Sequence, residues 1–243
     1  MMAFTYALVL FFTVIICFIA SFDRRIQFNR EFSAFLKAAV CVAIPFVAWD
    51  IWFTAHGVWW FDTQYTLGIT LAGLPLEEWL FFICIPFSCV FTYVCFEKFF
   101  NLSGWTALNN LIVFATVVGC CVIALLHHDK MYTLITAIVT LATVLYLHFV
   151  AQVDWIGKAS MVFTVLMLGF FPVNGVLTGT GIPSPIVNYN PEEFMGIRML
   201  TIPVEDAVYG YTQFLLVLHF FFYFQKKAQK QRTETSEAVE KTK

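Results

Sequence analysis

Charge is what this sequence has least of. Only 12% of its 243 residues are Asp, Glu, Lys or Arg, about half the share of a soluble globular domain, so a water-soluble fold is excluded. Its seven cysteines all lie inside apolar runs and form no Cys-x-x-Cys spacing. They read as small packing residues, neither disulfides nor metal ligands. No lysine occurs between Met199 and Phe224, which rules out a retinal Schiff base in the last helix. His56, His127, His128, His148 and His219 make no clustered histidine boxes, against a di-iron oxygenase. Gly179-Thr180-Gly181 falls short of the dinucleotide fingerprint, and no strand pattern precedes it. The paired Asp motifs of pyrophosphate chemistry with magnesium are missing as well.

What remains is apolar. Hydrophobic residues make up 60% of the chain, Phe alone accounts for 29 positions, and the mean hydropathy is +0.78. Runs of about 20 apolar residues can cross a bilayer core. Seven are read here, at roughly 3–22, 34–53, 74–96, 109–127, 131–151, 159–177 and 199–224. The expectation is an all-α integral membrane protein with seven transmembrane helices, TM1 to TM7. The first run is no secretory signal, because it lacks a basic n-region and Asp23-Arg24-Arg25 follows it in place of a small-residue cleavage site. Residues 1–225 form one membrane domain, and 226–243 read as a polar, disordered cytoplasmic tail. With the N-terminus outside, twelve basic residues fall on the cytoplasmic side and only Lys130 and Arg198 on the other. That is a strong positive-inside bias, so the C-terminus is expected in the cytoplasm, and the expected location is the cell inner membrane.

The chain also repeats itself. Pro75-Leu76-Glu77-Glu78-Trp79-Leu80-Phe81 opens TM3, and Pro203-Val204-Glu205-Asp206-Ala207-Val208-Tyr209 opens TM7. The offset from Pro75 to Pro203 also relates Gly68-Ile69 to Gly196-Ile197 and Phe61 to Tyr189, without a gap. With a gap, Asp50 and Gly57 near the end of TM2 correspond to Asn174 and Gly175 near the end of TM6. TM1–TM3 (about 1–97) and TM5–TM7 (about 131–225) are therefore read as two parallel three-helix repeats joined by TM4 (about 109–127), with both motifs facing one shared cavity. A single Pro-acid-acid run can be an ordinary helix start, since Pro suits the first position and carboxylates suit the dipole. Two copies beside apolar helices point to function, because ionisable groups at membrane depth are costly.

Carboxylates, aromatics and an apolar cavity suit acid-initiated carbocation chemistry. A carboxylic acid in an apolar site can stay protonated and donate, and aromatic faces stabilise a cation without trapping it. The candidate catalytic acids are Glu77, Glu78, Glu205 and Asp206. Glu77 and Glu205 are expected to be the cavity-facing members, since each has an aromatic four residues on, Phe81 and Tyr209, on the same helical face. Trp79, Tyr189 and Asp50 join these rings as candidates to contact substrate or cation. Arg198, seven residues before Glu205, is expected to pair with a motif acid. Two other readings remain open, a carotenoid- or retinoid-binding membrane protein without catalysis and a proton-coupled transporter.

At these residues the sequence resembles the integral membrane lycopene cyclases, the two-repeat type of archaea, fungi and actinobacteria. The repeated Pro-x-Glu-Glu/Asp motif matches Pro75, Glu77, Glu78 and Pro203, Glu205, Asp206. Asn174-Gly175-Val176-Leu177-Thr178-Gly179, Pro185-Ile186-Val187, Tyr189 and Gly196-Ile197-Arg198 resemble the second-repeat signature. The resemblance implies cyclisation of the ψ-ends of lycopene to β-rings, an isomerisation that requires no cofactor. It also implies a linear C40 or C50 carotenoid and membrane lipid as partners, with no nucleic acid; association into a homo-oligomer is compatible with it.

Overall fold

The computed structural model describes residues 2–241, with side chains described as far as residue 231. Its main helices are α1 (Thr5–Ala20), α2 (Phe32–Ala55), α3 (Leu76–Phe99), a single-turn α4 (Ser103–Thr106), α5 (Asn109–Leu126), α6 (Met131–Leu145), α7 (Ile156–Leu177) and α8 (Val204–Lys241). Among the described residues, seven helices, all of these but α4, are long and apolar enough to cross a membrane. They are the seven expected spans. The spans end close to where the hydropathy ends, with one exception. The tail expected to be disordered from residue 226 instead continues α8 to Lys241. Its Lys, Gln, Glu and Ala are strong helix formers, so the helix has no local reason to stop at the last apolar residue. Residues 242–243 lie outside the described part.

Three short antiparallel pairings were not expected from an all-helical pattern. β1 (Trp59–Phe61) pairs with β4 (Val187–Tyr189), β2 (Thr70–Leu71) with β3 (Leu74–Pro75), and β5 (Arg198–Met199) with β6 (Ile202–Pro203). The last two are the same hairpin in the two repeats, with Thr70 opposite Pro75 and Arg198 opposite Pro203. Each hairpin begins shortly after a glycine in the left-handed region, Gly68 at φ 76° and Gly196 at φ 78°, a conformation that other residues adopt only under strain. The duplicated glycines are thus backbone requirements of a duplicated turn.

The pairing of β1 with β4 joins the halves to each other. Trp59 lies opposite Tyr189, Trp60 opposite Asn188 and Phe61 opposite Val187. Each strand therefore pairs with its own repeat partner, as a local two-fold axis between Trp60 and Asn188 requires.

Below these loops the symmetry is incomplete. α2 packs closely along α8, whereas its counterpart α7 meets α3 and α1 far more sparsely. α5 leans on α6 and α7 of the second half. At the close contact, Tyr209 is wedged between Phe46 and Trp49, with ring centroids 5.1 and 4.9 Å away. The sparse contact leaves room, and that room is the candidate site.

Candidate functional site

A cavity of about 650 Å³ lies between α1, α3, α7 and α8. It reaches along α3 from Glu78 to Thr92, a span of about 21 Å at the helical rise. Most of its wall is apolar. Leu8 and Phe12 of α1 and Gly169 of α7 line it and are also exposed on the flank of the bundle, so the slot opens sideways between α1 and α7.

The carboxyl groups gather at the motif end. The Pro-acid-acid runs place their acids in the first turn of α3 and of α8. Consecutive helical residues point about 100° apart, and here the second acid of each pair turns to the cavity. Glu78 and Asp206 line it; Glu77 and Glu205 do not. This corrects the expectation that Glu77 and Glu205 face the substrate. Their Oε1 atoms instead accept backbone N–H groups of the preceding loops, Leu67 on Glu77 at 2.6 Å and Met195 on Glu205 at 2.8 Å. The two donors are themselves related by the repeat offset. Thr133 Oγ1 adds a bond to Glu205 at 2.6 Å. These acids hold the hairpin loops against their helices. Phe81 and Tyr209 do line the cavity, but each ring lies near the acid three residues before it as well as the acid four before it, so the spacing alone does not decide between the two members of each pair.

Each cavity acid is held by a tyrosine from the first turn of its own repeat. Tyr6 of α1 donates to Glu78 Oε2, and Tyr132 of α6 donates to Asp206 Oδ1 at 2.6 Å. Asp206 receives a second hydroxyl, as Tyr189 donates to Oδ2 at 2.8 Å. The rings of Tyr132 and Tyr189 stack, 5.9 Å apart at 15°. Asp50 is 2% exposed and joins the same cavity wall. Its Oδ1 accepts the Trp59 Nε1–H at 2.6 Å, while Oδ2 has no partner. Asp50, Glu78 and Asp206 thus all line the one cavity.

Among the remaining candidates, Phe81, Asn174, Tyr189 and Tyr209 all line the cavity. Trp79 does not. Its indole N–H donates to the Leu71 carbonyl at 3.1 Å, so it braces the β2–β3 hairpin. Arg198 is exposed and forms no ion pair with a motif acid among the described residues. Its guanidinium bonds the Thr201 carbonyl and lies over Phe194 and Tyr189, 4.8 and 5.7 Å from their ring centroids. The expected pairing is therefore replaced by a stacked contact behind the ring that holds Asp206. Burial, followed by the Asp206 carboxyl beside it, pushes the Tyr189 phenol well above its ordinary value, with Arg198 opposing. Tyr189 is thus held neutral, as a donor.

Sequence reasoning missed Tyr6 and Tyr132. The duplication held the signal, since the two occupy matching first-turn positions, a small gap away from the main offset. Among the described residues no cluster of His, Cys, Asp and Glu could hold a metal ion.

A family model described as Lycopene cyclase matches the chain twice, over residues 3–96 and 129–224. These two regions are the two repeats, with α5 falling between them. No curated protein and no solved structure matches the chain.

Proposed function

Since the chain belongs to the lycopene cyclase family, an enzyme family acting on a carotenoid within the membrane, we propose that it is a β-cyclase working by acid-initiated carbocation cyclisation. The observation that carries this is the slot itself. Its wall is mostly apolar, and its acid-bearing end brings Asp50, Glu78 and Asp206 together beside aromatic rings. A hydrocarbon chain fits the wall, and its terminal group meets the acids.

The reaction adds a proton at C2 of the terminal C1=C2 bond and leaves a cation at C1. The C5=C6 bond attacks C1, the ring closes and the cation moves to C5. Loss of a proton from C6 gives the β-ring. Atoms and electrons balance without an oxidant or reductant, so the enzyme is an isomerase and the chemistry asks for no cofactor. Phe81 and Tyr209, both on the wall, are rings of the kind that stabilise a cation. The preorganised acids sit where charge appears and disappears, which favours the transition state over the neutral polyene. The bias of basic residues towards one side favours the motif end at the outer face of the inner membrane, with the C-terminus in the cytoplasm.

Expression in a bacterium that accumulates lycopene tests the reading. Cyclic carotenoid with β-rings is expected in the extracted pigments. Unchanged lycopene, with the protein present in the membrane, would overturn it.

A further inference from the structure

The halves repeat each other in fold but not in acid chemistry. At the motif end the first half contributes two carboxyls, Asp50 and Glu78. The second half contributes one, Asp206, because the place corresponding to Asp50 is Asn174. The partners differ as well. Asp206 accepts a phenolic O–H on each oxygen. Glu78 has one such donor, Tyr6, and Asp50 leaves Oδ2 buried and unpartnered on the cavity wall.

Resting on the cyclase reading, we propose that the halves have diverged into opposite proton roles: the Asp50–Glu78 pair delivers the proton to C2, and Asp206 removes the proton from C6. Two neighbouring carboxyls in an apolar site cannot both be charged without prohibitive repulsion, so one of the pair keeps its proton. That proton is transferable, and Asp50 is a catalytic residue alongside Glu78. A carboxylate, by contrast, only accepts hydrogen bonds. Bonds from hydroxyls to an ionised oxygen are the strong kind, and Asp206 has one on each oxygen, the arrangement of a waiting base. In the forward step an O–H bond of the pair breaks and a C–H bond forms at C2. In the last step the C6–H bond breaks, its electrons become the C5=C6 double bond of the ring, and the proton goes to Asp206. Asp206 then yields that proton and the pair regains one by exchange with water at the membrane surface. Substrate and product have the same composition.

The two roles leave different marks on the product. A weakened donor slows every cyclisation but leaves the position of the final double bond alone. A weakened base lets the C5 cation find another exit: loss of a proton from C4 gives an ε-ring, loss from the methyl on C5 gives an exocyclic γ-ring, and water capture gives a C5 alcohol. In lycopene-accumulating cells, Asp50→Asn is expected to lower total cyclic carotenoid by roughly 10²- to 10⁴-fold, the scale of a lost general acid, with β-rings as the sole ring type. A 1,2-epoxide of lycopene, which a weaker acid can open, is expected to restore much of the cyclisation by Asp50→Asn membranes. Asp206→Asn is expected to shift its residual product towards ε-rings, γ-rings or the alcohol. If that variant makes too little to read, Tyr132→Phe and Tyr189→Phe, each removing one of its donors, should show the same shift. Only β-rings from all three second-half variants, or a changed ring type from Asp50→Asn, would overturn the assignment. A wild type that cyclises nothing would instead overturn the cyclase reading itself.

Discussion

The Leu67 amide donates to Glu77 Oε1 at 2.6 Å, which commits this acid to the loop in front of α3 and leaves its neighbour Glu78 to the cavity. Removing the acceptor strands a backbone donor next to a buried helix start. Glu77→Ala, and Glu205→Ala in the second half, are expected to cost about 1–3 kcal/mol of stability each. The measurement is thermal unfolding in detergent, together with cyclisation per unit of folded protein. A lower melting temperature with nearly unchanged specific activity is expected. Normal melting with lost activity would return these acids to the catalytic group.

Glu78 should behave in the opposite way. Glu78→Gln keeps the shape and an acceptor for Tyr6 but removes the acidic proton. Cyclisation is expected to fall by roughly 10²- to 10⁴-fold at an unchanged protein level and melting temperature. Activity within a few-fold of wild type would remove Glu78 from the proton path.

Tyr189 makes a prediction about alkaline pH. Its phenol is pushed above the ordinary value of 10.0, so the neutral form persists where a free phenol begins to ionise. The hydrogen bond to Asp206 is therefore kept as pH rises towards that value. In reconstituted membranes the rate should show no alkaline limb there that disappears in Tyr189→Phe. Such a limb would mean that the phenol ionises normally.

Topology can be read with reporter fusions. A fusion after Lys98 and one at the C-terminus are expected to report the cytoplasm, and one within 180–195 the exterior. A cytoplasmic signal from 180–195 would invert the bundle and place the acids at the inner face.

The seven spans and their duplication were legible because both leave long traces, apolar runs of bilayer-crossing length and a motif repeated at a fixed offset. The finer geometry was not. Adjacent acids differ by one helical step, and whether Glu77 or Glu78 meets the cavity depends on how α3 is rotated against α1 and α7, which no local pattern encodes. The hairpins at Thr70–Pro75 and Arg198–Pro203 pair only two residues per strand, too few for an alternation to show. Trp79 carried the chemistry of a cation-facing ring, yet its indole N–H found a hairpin carbonyl first. Asp50 was visible as a lone acid near a helix end, but its tie to Trp59 depends on the chain turning back at Gly57, where φ is 69°.

The slot has one acid-bearing end although the protein has two halves, and that sets how a molecule with two identical ends must be handled. A conjugated polyene is stiff and cannot bend back to present both tips to the same place. After the first ring closes, the far tip is still directed away from Asp50, Glu78 and Asp206. On the proposed cyclase reading, the second ring requires the half-finished molecule to slip out between α1 and α7, reverse in the bilayer and return with its other end first. Two rings are thus two separate encounters. The balance of one-ringed to two-ringed pigment becomes a matter of traffic through the lipid, rising towards two rings when enzyme is plentiful and falling towards one when fresh substrate crowds the entrance.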